Sequence, residues 1–293
     1  MKQKMILYFF VFFTFFNLYG SEIYKNKEIG GSVENLIFYY GGVSYLKNYS
    51  AIFINPAGIV DESKSWVYFS HCNWIMDFKM ESLNAGYSLN KFFTLGFYMN
   101  YFYTTKFSEI DKFGDVVGNI NYYEIESGIL SSINLKSFNF GINFKFLNRN
   151  ITENNSSFNI DIGLKIPVIL KRLSIGVNIK NMLSGNYKTG NRVERIKLEN
   201  IYGISYKLSP NFAILFGSNF TSQNSFGLNL KLGKKFETYF GYNLGDRNYW
   251  GIGLSYNVGM DKDKRVIDIG FSQITKVKDD FDTILKIGFL YEI

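Results

Sequence analysis

Along most of this chain apolar side chains recur at every second residue, and that period of two restricts the fold more than any other property. Between Ser137 and Leu147, Phe138, Phe140, Ile142, Phe144 and Phe146 share one parity, and Asn139, Gly141, Asn143 and Lys145 the other. Successive side chains on a strand point to opposite faces, so this run is a β-strand with one greasy face and one small or polar face. Phe158, Ile160, Ile162 and Leu164 repeat the pattern against Asn159, Asp161, Gly163 and Lys165. Leu173, Ile175, Val177 and Ile179 do so against Ser174, Gly176, Asn178 and Lys180, and Trp250, Ile252, Leu254 and Tyr256 against Gly251, Gly253 and Ser255.

Taking every alternating run as a strand predicts spans at 65–70, 80–89, 93–103, 119–130, 138–147, 158–166, 173–181, 197–208, 212–219, 225–232, 236–243, 249–256, 266–274 and 283–293. That even count suits a single-chain antiparallel barrel whose ends lie on one side. The odd-numbered gaps are usually the longer ones, as when surface loops alternate with short turns; 104–118 and 182–196 are the longest predicted loops. Ser209-Pro210-Asn211 is a good short turn, because Pro pre-sets the turn dihedral and has no N–H for the ladder.

A large soluble all-β protein would also alternate. Here composition decides: the chain has 30 Phe and 22 Tyr but only 3 Pro. A soluble fold would need a second sheet to cover such faces, whereas a closed barrel in lipid turns them outward and has no edge to protect. The expected fold is therefore all-β, a transmembrane antiparallel β-barrel of about 14 strands over residues 63–293.

Residues 1–20 read as a signal peptide. Lys2 and Lys4 precede the apolar stretch Met5 to Phe16, interrupted by Thr14, and Leu18-Tyr19-Gly20 offers a small residue for cleavage after Gly20 or Ser21. The apolar stretch is shorter than the roughly 20 residues a spanning helix needs. The single cysteine, Cys72, lies far from the cut, so no lipid anchor is expected there, and one cysteine forms no intrachain disulfide. Formal charge falls from +7 to +5 without Lys2 and Lys4 (30 basic against 25 acidic). The excess reads as scattered, leaves no nucleic-acid footprint, and favours anionic solutes or lipopolysaccharide phosphates.

The last residues, Lys286 to Ile293, put Ile287, Phe289, Tyr291 and Ile293 on one face. This resembles the carboxy-terminal signal read by the barrel-assembly machinery, with Ile where a terminal Phe is commoner. Phe289, Tyr291 and Ile293 are the residues it implies.

Residues 30–62 break the alternation. Gly30-Gly31, Gly41-Gly42-Val43-Ser44-Tyr45 and Ala51-Ile52-Phe53-Ile54-Asn55-Pro56-Ala57-Gly58-Ile59 read as turns and a short helix. Gly permits close approach of backbone to a wall, and Pro56 can open a helical turn because its missing donor would be unpaired there. The Gly-Gly stretch, the Asn-Pro-Ala-Gly that follows, Phe69-Ser70-His71 and Trp74 resemble the amino-terminal signature of the PorV/PorQ family, itself similar to FadL-like channels for hydrophobic compounds. Leu173 to Asn181 and Tyr239 to Asn243 resemble the same family, so the likeness spans most of the chain past the signal. It implies that residues 21–62 form a hatch inside or below the barrel, with Gly41, Gly42, Asn55, Pro56, Ala57 and Gly58 controlling it. An ordinary periplasmic tail is the plainer alternative.

Catalytic and metal-binding constellations are not expected. His71 is the single histidine, and Asp261 to Lys264 and Asp279-Asp280 lack the oxygen spacing of a calcium loop. No cofactor and no nucleic-acid partner is expected; the expected partners are outer-membrane lipids, the barrel-assembly machinery and either a hydrophobic small molecule or a secreted protein. The resemblance implies passive passage of a hydrophobic or amphipathic molecule across the cell outer membrane, with a PorV-like secretion or surface-assembly role as the alternative. Amino-terminal sequencing of the protein recovered from membranes should begin at Ser21 or Glu22. A chain still beginning at Met1 would reject cleavage.

Overall fold

A computed structural model describes residues 31–60, 65–74, 77–110, 115–150, 154–169, 172–189, 192–219, 223–245, 248–259, 264–275 and 281–292. The signal-peptide reading and Ile293 lie outside them. A short helix, α1 (Val33–Phe38), precedes the strands. These are β1 (Trp66–Asn73), β2 (Lys79–Asn90), β3 (Phe93–Ile110), β4 (Val116–Asn134), β5 (Asn139–Asn150), β6 (Asn154–Val168), β7 (Leu173–Ser184), β8 (Asn186–Thr189), β9 (Arg192–Arg195), β10 (Glu199–Ser209), β11 (Phe212–Ser218), β12 (Asn224–Leu232), β13 (Phe236–Leu244), β14 (Tyr249–Asn257), β15 (Lys264–Thr275) and β16 (Phe281–Glu292).

Fourteen of the strands form one closed antiparallel barrel, and β8 and β9 form a separate two-stranded sheet. Closure comes from β1 pairing with β16, in register from Trp66 opposite Glu292 to Asn73 opposite Leu285. Every barrel strand thus has two neighbours, which satisfies the backbone donors and acceptors that hydrocarbon cannot.

The two faces follow the sequence parity. Phe144, Phe158, Leu228, Phe240, Ile252 and Leu254 are exposed on the outside, while Asn143, Lys145, Asn159, Asp161, Asn178, Asn229 and Ser255 are buried toward the lumen. This is a surface fit for lipid around a polar inner wall.

Two predicted loops were not loops throughout. Residues 104–118, expected as a surface loop, mostly continue β3 and β4, which stay paired from Phe93 opposite Ile133 to Ile110 opposite Val116. Neighbouring β2 begins opposite Tyr103 and β5 ends opposite Tyr123, so beyond those points β3 and β4 pair only with each other. Their tips form a ribbon that stands clear of the barrel by about 20 Å, at roughly 3.3 Å per residue. Residues 182–196 contain the end of β7 and the β8–β9 hairpin, whose strands are too short to alternate visibly.

If the outer face meets lipid, Ile252→Arg, on a side chain 52% exposed, should cost about 2 to 4 kcal/mol near the midplane. Ile252→Leu should cost under about 1 kcal/mol. Equal losses of stability on unfolding from lipid vesicles would reject this assignment of inside and outside.

Candidate functional site: the plug and its glycine belt

The segment 31–60 lies inside the barrel, where its apolar side chains share one core with inward residues of the wall such as Trp66, Tyr68, Leu130, Leu215 and Ile284. Val33, Leu36, Ile37, Phe38, Tyr40, Val43, Ile52, Ile54 and Ile59 are all at most 1% exposed. Its pieces are α1, capped by the Ser32 hydroxyl accepting from Asn35 N at 3.2 Å, and 3-10 segments at Tyr39–Ser44, Asn48–Ser50 and Pro56–Gly58. They meet the wall in turn: α1 lies against β12 to β16, 39–44 against β7 and β10 to β12, 48–50 against β1 and β2, and 56–58 against β4 to β6.

Glycines on the inner face make that fit possible. A Cβ at Gly141 would collide with the Pro56 backbone, at Gly163 with the Asn55 side chain, at Gly176 with the Val43 carbonyl, at Gly217 with the Tyr40 carbonyl and at Gly241 with the Ile37 carbonyl. Several sit directly opposite one another on neighbouring strands: Gly141 and Gly163, Gly176 and Gly203, Gly203 and Gly217, Gly227 and Gly241, Gly241 and Gly251, Gly253 and Gly270. The result is a belt of bare backbone around the plug, the usual meaning of an interior strand glycine where another backbone approaches. Glycine-mediated approach was expected from the plug; the wall supplies most of it.

Polar wall side chains complete the plug's backbone hydrogen bonding, which burial makes obligatory. Lys165 Nζ donates to the Leu46 carbonyl at 2.8 Å and the Tyr45 carbonyl at 3.1 Å. Asn178 Nδ2 donates to the Ile54 carbonyl at 2.8 Å, and Ser70 Oγ to the Gly31 carbonyl at 2.6 Å. The Tyr40 hydroxyl donates to Glu199 on β10, and the Tyr45 hydroxyl to Asn229 Oδ1 at 2.9 Å. The carboxylate of Glu34 accepts from Tyr49 at 2.9 Å and Tyr239 at 3.4 Å, and burial pushes its pKa up.

The residues singled out from sequence play unequal parts. Asn55 accepts from Ala57 N at 3.0 Å and donates through Nδ2 to the carbonyls of Val43 at 2.8 Å and Leu164 at 3.1 Å, tying two plug segments to β6. Pro56 and Ala57 lie in the turn that Asn55 opens. Gly58 is sterically required, since a Cβ there would strike Ala51 and the Leu46 carbonyl, and at Gly42 it would strike Leu46. Gly41 is not: its Cβ would find nothing nearer than 3.6 Å. Phe289 and Tyr291 point outward, 52% and 42% exposed. His71 faces Glu81 Oε1 at 2.7 Å and Asn73 Oδ1 at 3.2 Å, and Cys72 is buried beside it in the chain.

Sequence reasoning missed two further features. On the loop side of the plug, Trp74 and Met80 are buried within the barrel, and Phe78 stacks on Phe102 with centroids 4.8 Å apart and Tyr122 edge-on at 5.4 Å. Beside this apolar step lie the ion pairs Arg149–Glu124 at 2.7 Å and Lys145–Asp161 at 2.8 Å. The parity of Met80 and Phe102, apolar on the polar side of their strands, was the available clue.

The belt yields a direct test. Gly217→Val and Gly241→Val should each cost about 1 to 3 kcal/mol of plug packing while leaving the ladder intact. Heat-modifiable migration should persist, while protease cleavage within 31–60 and ion conductance both rise. Gly41→Ala should change neither; a glycine variant with an unmoved plug would show that the belt is not a steric seat.

The chain matches no protein-family model and no curated protein sequence. Among solved structures it is similar to the monoaromatic hydrocarbon channel CymD, with a TM-score of 0.63 at 10% identity over 91% of this chain and 98% of that one. The Ralstonia pickettii toluene transporter TbuX superposes with a TM-score of 0.59 at 11% identity, covering 91% and 98%. For a Pseudomonas aeruginosa FadL homologue the TM-score is 0.57 at 10% identity, covering 90% and 97%. At such identities the likeness is one of architecture, and it is nearly complete in both directions: this chain has the fold of the FadL-like channels.

Proposed function

We propose that the protein passes hydrophobic or amphipathic small molecules across the outer membrane without an energy source, with the plug as its gate. The observation that carries this reading is the apolar step of Trp74, Phe78, Met80 and Phe102 on the loop side of an apolar plug. An apolar solute leaving water can rest there, and the next surface it meets is again apolar. Fold likeness to channels for monoaromatic hydrocarbons and toluene supports the same class. The plug is suited to gating because replaceable hydrogen bonds and shape hold it against the wall. In this reading Asn55, Pro56, Ala57 and Gly58 hold the latch of the hatch, residues 1–20 direct export, and Phe289, Tyr291 and Ile293 are read by the barrel-assembly machinery.

A PorV-like role as partner of a secreted protein is the second reading. It is favoured by the projecting β3–β4 ribbon, which offers an exported chain a surface beyond the barrel.

Uptake into proteoliposomes separates the two. Toluene and a fluorescent fatty acid should enter saturably, and a hydrophilic dye should not. Replacing Phe78 and Phe102 with Ser should lower uptake about tenfold, the equivalent of roughly 1.4 kcal/mol of lost aromatic contact. No saturable uptake by the intact protein, together with loss of a bound exported protein on trimming 104–118, would reject transport in favour of the scaffold.

A further inference from the structure

The positive charge that looks scattered in sequence is gathered in space. Between plug residues 44–50 and the short-turn end of the wall lies a cavity of about 370 Å³, lined by Lys47, Lys165, Lys207, Lys231, Lys234 and Lys235. Among the described residues Glu34 and Glu237 are its acidic members, so the described lining holds six lysines against two carboxylates. Both carboxylates already have hydrogen-bond partners: Glu34 has the Tyr49 and Tyr239 hydroxyls, and Glu237 accepts from Asn229 Nδ2 at 2.7 Å, with Lys231 at 3.7 Å. Lys165 is also committed, to the Tyr45 and Leu46 carbonyls.

A concave mouth with low-dielectric walls focuses the field of such a set and concentrates counter-ions within it. The lining cations among the described residues are lysines, compact point charges that suit a phosphate group without demanding a planar fork. One cation, Lys47, belongs to the plug, and the rest belong to the wall. An anion that touches both is bound more tightly when the plug is seated, and so by linkage it favours the seated state.

We propose that this basin is a binding site for a multivalent, phosphate-bearing anion that bridges plug and wall at the turn end of the barrel. The site lies at the opposite end from the apolar step and does not depend on solute transport. Its phosphate could be supplied by a free solute or by a lipid headgroup of the adjacent leaflet.

Pyrophosphate is the probe. Titrated calorimetrically at low salt into the full-length protein in phosphatidylcholine nanodiscs, it should bind saturably and more weakly as sodium chloride rises. The double variant Lys234→Gln with Lys235→Gln should lose about tenfold in affinity, and so should Lys47→Gln. Lys91→Gln with Lys136→Gln, which removes the same charge from other turns at this end, should bind as the parent does, and all variants should keep heat-modifiable migration. Bound pyrophosphate should slow amide exchange in residues 44–50. Weaker pyrophosphate binding in phosphatidylglycerol nanodiscs identifies the headgroup as the source, and unchanged binding identifies a free solute. Absence of saturable binding, equal losses in the Lys91/Lys136 control, or a Lys47→Gln variant as tight as the parent would each overturn the proposal.

Discussion

Closure of the sheet is the constraint on which everything else in this molecule rests. Strand β1 finds its second partner in β16, so no ladder edge is left to hydrocarbon. A closed sheet has one convex and one concave face, and the period of two delivers alternate residues to each. Once the convex face is given to Phe, Leu and Ile, the other parity builds the concave face, largely from Gly, Ser, Asn, Asp and Lys with a minority of apolar residues such as Trp66, Tyr68, Leu130 and Leu215. A wall of that kind cannot make an apolar core by itself. Whatever fills it must bring its own apolar side chains, as α1 and the 3-10 segments after it do.

The plug and wall therefore divide the work of packing in an unusual way. Apolar side chains come from both plug and wall, and bare backbone comes from the wall's glycines. The paired glycines let the carbonyls of Ile37, Tyr40 and Val43 approach the strands closely, and Lys165, Asn178 and Ser70 meet the hydrogen-bonding needs of the plug backbone. Such a seat is specific without being permanent. Each of these bonds is of a kind that water can replace, which is what the proposed gating requires.

Polarity also runs along the lumen. At the loop end it is aromatic, with ion pairs close by; at the turn end it is a lysine-lined basin. An apolar solute and a small anion would find their best surroundings at opposite ends of the same plug. One segment reaches both ends, because residues 44–50 floor the basin and Phe53 lines the loop-side lumen.

The sequence alone located the fourteen barrel strands, though not β8 and β9. Runs such as Phe138 to Phe146 and Trp250 to Tyr256 needed no tertiary information, because a strand's two faces are fixed by local geometry, and the number of runs with their parity then implied a closed sheet with lipid outside. The break in alternation at 30–62 set that segment apart, and Asn55 to Gly58 stood out as a turn, while a place inside the barrel was implied by the resemblance alone. Local pattern could not say what the inner-face glycines were for. Gly217 and Gly241 read only as small residues on a polar face until the Tyr40 and Ile37 carbonyls were found against them. Nor could it separate loop from strand at 104–118, where pairing between β3 and β4 alone extends the ladder. Lysines at 47, 165, 207, 231, 234 and 235 gave a scattered excess for the same reason. Which face a residue occupies is a property of its neighbours in the chain, whereas which residues share a space depends on strand order and on where the plug enters. Only closure around that plug decided it.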